Sequence, residues 1–229
     1  KKYDGQRAWT ASAIFQPNYN WPLLHVGHYQ PPTGMRYDDH TMLVRQTPNV
    51  TGASSLIAPN YAEYGAEIHY YRKLWLSVTA GVYSARALAE NTVTDRNGAV
   101  VSLIVDRDKP SYLGRVVLWS KLVEQKLNFY LGGSYLKNDD FQLTNLFGGV
   151  GLQDKVAVMA EYVISDKEAA RETKTATLDL SIQATPGLIF YARGEHGEVK
   201  QLRATATNIE LTIRQAVFGA QVFLTPQIE

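Results

Sequence analysis

The stretch from Lys174 to Arg193 constrains the fold more than any other part of the chain. Ala176, Leu178, Leu180, Ile182 and Ala184 alternate with Thr177, Asp179, Ser181 and Gln183. Side chains of a β-strand point to opposite faces at a period of two, so this segment predicts a strand with one apolar and one polar face. Pro186-Gly187 supplies a tight turn. Leu188, Phe190 and Ala192 then alternate with Tyr191 and Arg193, which completes a hairpin. Two settings suit such a hairpin: a soluble sheet with one wet face, or a membrane barrel with lipid outside and water inside.

The same alternation recurs at 8–16, 22–30, 63–71, 74–83, 112–122, 127–135, 156–164 and 215–224, and less regularly at 141–150, where Gly148-Gly149 interrupts it. No segment holds a helical period over the 11 or more residues that would define a helix. The connections differ in kind. Those at 17–21, 72–73, 123–125, 151–154, 185–187 and 225–227 are short. Those at 31–62, 85–110, 137–140, 165–173 and 195–213 are longer or more charged. Within 85–110, Val100–Val105 reads as part of a small hairpin arm; within 31–62, Asp38–Arg45 reads as one or two helical turns capped by Asp38 or Asp39. All the long loops therefore fall at one end of a meander. Outer-membrane barrels have this asymmetry, whereas a Greek-key sandwich has no reason to produce it. The fold expected is all-β: an antiparallel up-and-down transmembrane β-barrel, with about 12 strands visible. The first strand runs down toward a short turn and Glu229 opens another strand. Residues 1–229 are therefore expected to form a single barrel domain, incomplete at both ends and part of a larger barrel.

Composition narrows the function. With no cysteine, zinc–thiolate sites, iron–sulfur clusters and disulfides are excluded. Lys+Arg 23 against Asp+Glu 22 gives no support for a nucleic-acid partner. No apolar run approaches the roughly 20 residues of a membrane helix.

Gly27-His28-Tyr29-Gln30-Pro31-Pro32-Thr33-Gly34 has the pattern Gly-x-x-x-Pro-Pro-x-Gly. It resembles a strand-to-loop junction of phosphate-selective-porin-like outer-membrane proteins, at which the chain leaves the barrel wall and enters a loop. The resemblance implies a porin-like barrel. Anion-selective members line their pores with ladders of Arg and Lys; the lumen face predicted here carries mixed charges, so phosphate selectivity is not carried over. Similar barrels also sheathe multihaem cytochromes or hold surface lipoproteins.

Glu63, Glu67, His69, Arg115, Lys121, Glu161, Asp179, Arg193 and Glu195 fall on the polar face and predict a hydrated lumen lined by both signs. On a lipid face, Arg or Lys near the midplane would cost about 2–4 kcal/mol. The 31–62 segment is expected as a lumen or surface loop. Folded inward, it would narrow the lumen, with Arg36, Asp38, Asp39, His40 and Arg45 as constriction residues. His25 and His28 have opposite parity and cannot share a metal, and Asp38, Asp39 and His40 fit a turn cap better than a cation site. No HxxxH, Cys-x-x-Cys-His or Gly-x-Ser-x-Gly occurs. No metal, cofactor or enzymatic activity is expected.

The function expected is passive diffusion of small hydrophilic solutes across a bacterial outer membrane by size exclusion and an electrostatic filter. Lipid and lipopolysaccharide would surround the protein, and homo-oligomers are compatible with it. A non-conducting barrel holding a cytochrome, lipoprotein or envelope complex is the first alternative. A soluble β-sandwich binding protein is the second.

Overall fold

A computed structural model describes residues 11–35, 62–73, 75–90, 92–94, 97, 99–102, 108–123, 126–139, 141–153, 155–167, 170–201 and 208–222. Its strands are β1 (Ala11–Phe15), β2 (Leu23–Tyr29), β3 (Glu63–Lys73), β4 (Leu76–Tyr83), β5 (Thr92–Thr94), β6 (Val100–Ser102) and β7 (Ser111–Val123). They continue with β8 (Leu127–Asn138), β9 (Phe141–Leu152), β10 (Val156–Lys167), β11 (Arg171–Thr185), β12 (Leu188–Gln201) and β13 (Ile209–Val222). One 11-stranded sheet runs in the order β1-β2-β3-β4-β7-β8-β9-β10-β11-β12-β13, and β5-β6 form a separate two-stranded hairpin. Every neighbouring pair in the large sheet is antiparallel. This is the wall of an up-and-down barrel, open between its edge strands β1 and β13. No helix among the described residues is long and apolar enough to cross a membrane, which says nothing of strands.

The two faces are chemically distinct because the alternation in sequence is kept in register. Outward positions are apolar and exposed on successive strands: Val26, Ile68, Val82, Val116, Leu131, Val150, Val158, Leu178, Phe190 and Phe218. Inward positions pack large rings over cross-strand glycines. Phe147 fills the space a Cβ on Gly132 would need, and Tyr130 does the same at Gly149. Register irregularities at 70/73, 121/123 and 183/185 all lie beside short turns.

Three connections differ from the sequence reading. Lys137 and Asn138 belong to β8, which continues to Asn138, and β9 already starts at Phe141. Residues 165–173 are not an exposed charged loop: β10 runs to Lys167, β11 starts at Arg171, and Ser165, Lys167, Ala170, Arg171 and Thr173 are buried. Residues 195–213 are largely the paired ends of β12 and β13, Glu195 lying opposite Gln215. The long-connection end therefore has two large excursions, after β2 and after β4. The 38–45 helical turns and the stub at 229 lie outside the described residues.

The excursion after β4 begins with a helix that the sequence did not predict, α1 (Arg86–Glu90). Five residues are too few to show a period. Leu88 is fully buried in a cluster with Tyr29, Tyr83, Ala85, Leu113, Leu136, Phe141, Leu143, Val163 and Ala170. This apolar core fills the inner side near the long connections. There the pattern inverts: Phe141 and Leu143 face inward, while Gln142 is exposed on the outside.

Candidate functional site

Eight of the proposed lumen residues lie on the inner face with their side chains described, in four separate settings. Lys121 shares their register on β7, opposite Asn128. Arg36, Asp38, Asp39, His40 and Arg45 lie outside the described residues.

The first setting is a helix anchor. Glu63 accepts the backbone N–H groups of Arg86, Ala87 and Leu88 at 3.2, 2.8 and 3.2 Å and the Ser84 hydroxyl at 2.5 Å. These are donors that no helix satisfies for itself. Glu63 thus ties the excursion after β4 back onto β3.

The second is the seat of the segment after β2. Pro31 to Gly34 are buried on the inner face. Gly34 adopts φ 72°, the left-handed region that side chains other than glycine rarely enter. A Cβ there would also collide with Glu161 Oε1 and Asn145 Nδ2. The Gly34 N–H donates to Ser134 Oγ at 2.8 Å and the Met35 N–H to Glu161 Oε1 at 3.1 Å. Arg115 directs Nε and Nη2 at the Gly34 carbonyl, both at 3.4 Å, with its guanidinium 5.2 Å from the Phe147 ring centre. The Tyr130 hydroxyl meets Met35 Sδ at 2.8 Å. Asn145 completes the seat, donating to Glu161 at 2.9 Å and accepting from Ser134 at 3.1 Å. The Gly-x-x-x-Pro-Pro-x-Gly motif therefore ends on a Gly34–Met35 step, Gly34 bonded to β7 and β8 and Met35 to β10. Toward the short turns lies a cavity of about 550 Å3, lined by Arg115, Val117, Trp119, Tyr130 and Met159 among others.

The third is an ion cluster. Asp179 and Arg193 are directly opposed on β11 and β12. Arg193 Nε donates to Asp179 Oδ1 at 2.7 Å, and Glu195 lies 3.9 Å from the same nitrogen. All three are buried, which makes geometry and pairing decisive for their net energy.

The fourth joins β2, β3 and β4. His25 and Glu67 are register partners, as are His69 and Thr79. His25 Nδ1 and His69 Nε2 lie 2.9 and 2.7 Å from the same oxygen, Glu67 Oε1. His28 faces the other way and packs on Tyr64, with ring centres 4.6 Å apart. The sequence reading, which compared only His25 with His28 on one strand, missed the His25–His69 pair because it is created by the β2–β3 register. Ser134 and Asn145 were missed as seat residues because nothing in a sequence says which polar inward residue meets a returning loop.

No protein-family profile and no curated protein matches the chain. Solved structures similar to it include an anion-selective porin from Comamonas acidovorans (13% identity, TM-score 0.37), covering 90% of this chain and 58% of that one. Another is OmpT, an outer membrane protein of Vibrio cholerae (11% identity, TM-score 0.38), covering 91% and 64%. A third is OccK2 (OpdF) of Pseudomonas aeruginosa (9% identity, TM-score 0.33), covering 92% and 76%. The chain thus spans less than two thirds of the length of the first two.

Proposed function

We propose that the chain is the wall of an outer-membrane β-barrel that lets small hydrophilic solutes diffuse through its interior. The observation that carries this reading is the outward face. Its apolar run covers 156–164 on β10 and 176–184 on β11, matching the roughly 9–11 residues with which a barrel strand crosses a bilayer. Soluble monomers rarely expose contiguous apolar patches beyond roughly a few hundred Å2. Here such positions recur from β2 to β13. Beyond the run the outward positions turn polar, with Lys174 3.0 Å from Glu172 and Lys200 4.0 Å from Glu210. Exposed Tyr64, Tyr112 and Tyr135 lie toward the long connections and Tyr71 and Trp75 at a short turn, as rings do at the two membrane interfaces.

In this reading the seated segment 31–35 narrows the path, and Arg115, Glu161, Asp179 and Arg193 give the wall both signs of charge. The whole protein, reconstituted in planar bilayers, is expected to show stable single-channel steps. In Gly34→Val, a side chain forced against Glu161 at a left-handed position unseats the segment, at a cost of about 1–3 kcal/mol. Its conductance step is expected to be larger than that of the wild type. Absence of steps from folded protein would favour a second reading, a non-conducting barrel that holds a partner. The apolar core around Leu88 on the inner side is the observation in its favour.

A further inference from the structure

We propose that His25, Glu67 and His69 form a binding site for a borderline divalent cation such as Zn2+ on the inner wall. His25 Nδ1, His69 Nε2 and Glu67 Oε1 all lie within 4.8 Å of one another. Two imidazole nitrogens and one carboxylate oxygen are a donor set that suits zinc, with a fourth position left for water. Bonds of about 2.0–2.1 Å in a tetrahedron place ligand atoms about 3.3 Å apart. The present N···O separations of 2.9 and 2.7 Å need to open by only a few tenths of an ångström.

The surroundings hold each ligand in place, as an outer layer does around metal sites. His69 Nδ1 lies 3.0 Å from the Thr79 hydroxyl. The second oxygen of Glu67 accepts the Tyr83 hydroxyl. The Tyr83 ring fills the Cβ space of both Gly65 and Gly81, and is itself nearly inaccessible. Tyr29 stacks on the His25 ring, with centres 3.8 Å apart and planes 22° apart. Glu67 is 3% exposed, while His25 and His69 keep 17% and 25% of their side-chain surface, so a hydrated ion has a way in.

With neutral imidazoles and no cation, both rings give their single proton to the same carboxylate oxygen, and His69 Nδ1 then accepts from Thr79. If His69 instead donates from Nδ1, its Nε2 lone pair faces a carboxylate at 2.7 Å, and a cation between them removes that conflict. The site links three adjacent strands through side chains, so an ion bound only to the folded state raises the unfolding midpoint.

The test is zinc titration of the purified, folded whole protein by calorimetry, together with thermal unfolding with and without Zn2+. One ion per chain at this site and a higher midpoint with zinc are expected. His25→Ala and His69→Ala should weaken binding at least 100-fold and abolish the midpoint shift. Tyr83→Phe should weaken it about 10-fold while leaving the donor set intact. His196→Ala, on the opposite face, should change nothing. Circular dichroism checks that each variant keeps its strands; Glu67→Gln, which retains an acceptor, is the substitute if a histidine variant does not fold. No saturable zinc binding by the wild type, or binding that survives His69→Ala unchanged, would overturn the proposal.

Discussion

Arg193→Met is expected to destabilise the protein by about 3–5 kcal/mol, the range for removing one partner of a buried ion pair. Arg193 is 8% exposed and sits between Asp179 at 2.7 Å and Glu195 at 3.9 Å. Removing the guanidinium leaves two buried carboxylates facing one another across β11 and β12. Asp179→Ala should cost less, because Glu195 still accompanies the remaining cation. The order Arg193→Met above Asp179→Ala is the informative part, and urea unfolding midpoints of the two variants measure it. Equal losses would mean that Glu195 contributes nothing to the cluster.

Leu178→Arg should cost about 2–4 kcal/mol if its position faces hydrocarbon near the midplane. Leu178 is 55% exposed inside the apolar run on β11, next to its central residue Leu180 on the same face and opposite Gly194 of β12. An exposed Leu→Arg change on a wet surface usually stays within about 0.5 kcal/mol, so the size of the effect separates the two settings. Glu198→Arg, an outward position beyond the apolar run on β12, is the matched control and should fold into vesicles like the wild type. Folding yield into lipid vesicles and urea midpoints report both. A Leu178→Arg protein as stable as the Glu198→Arg protein would remove hydrocarbon from the outward face.

The eleven-stranded meander was legible in the sequence because parity is local. Leu178, Leu180 and Ile182 announce a face without reference to any other strand. The wet face was legible for the same reason, and Glu67, His69, Arg115, Glu161, Asp179 and Arg193 all lie on it. Two things were not legible. One was the upper part of the wall, where the apolar side changes face. Phe141, Leu143 and Val163 turn inward to meet Leu88 of a helix too short to have a period. The same change blurred the pattern of 141–150 and made the buried positions at Ser165, Lys167 and Arg171 look like a solvated loop. The other was which inward residues meet. The Gly34 seat needs Ser134, Asn145 and Glu161 from three strands, and the His25–Glu67–His69 group needs the pairing of β2 with β3. Register carries both, and register is not written in any one segment.

The claim on which the rest depends is that outward side chains meet lipid while inward ones do not. The chain has no native cysteine, so single cysteines at 176, 177, 178, 179, 180, 181 and 182 can each carry a nitroxide in the vesicle-reconstituted protein. Power-saturation EPR then compares collision with oxygen, which concentrates in lipid, and with a water-soluble nickel chelate. Oxygen accessibility should peak at 176, 178, 180 and 182 and fall at 177, 179 and 181, with little nickel contact at the even positions. High nickel accessibility at 178 and 180 would place that face in water and contradict the account.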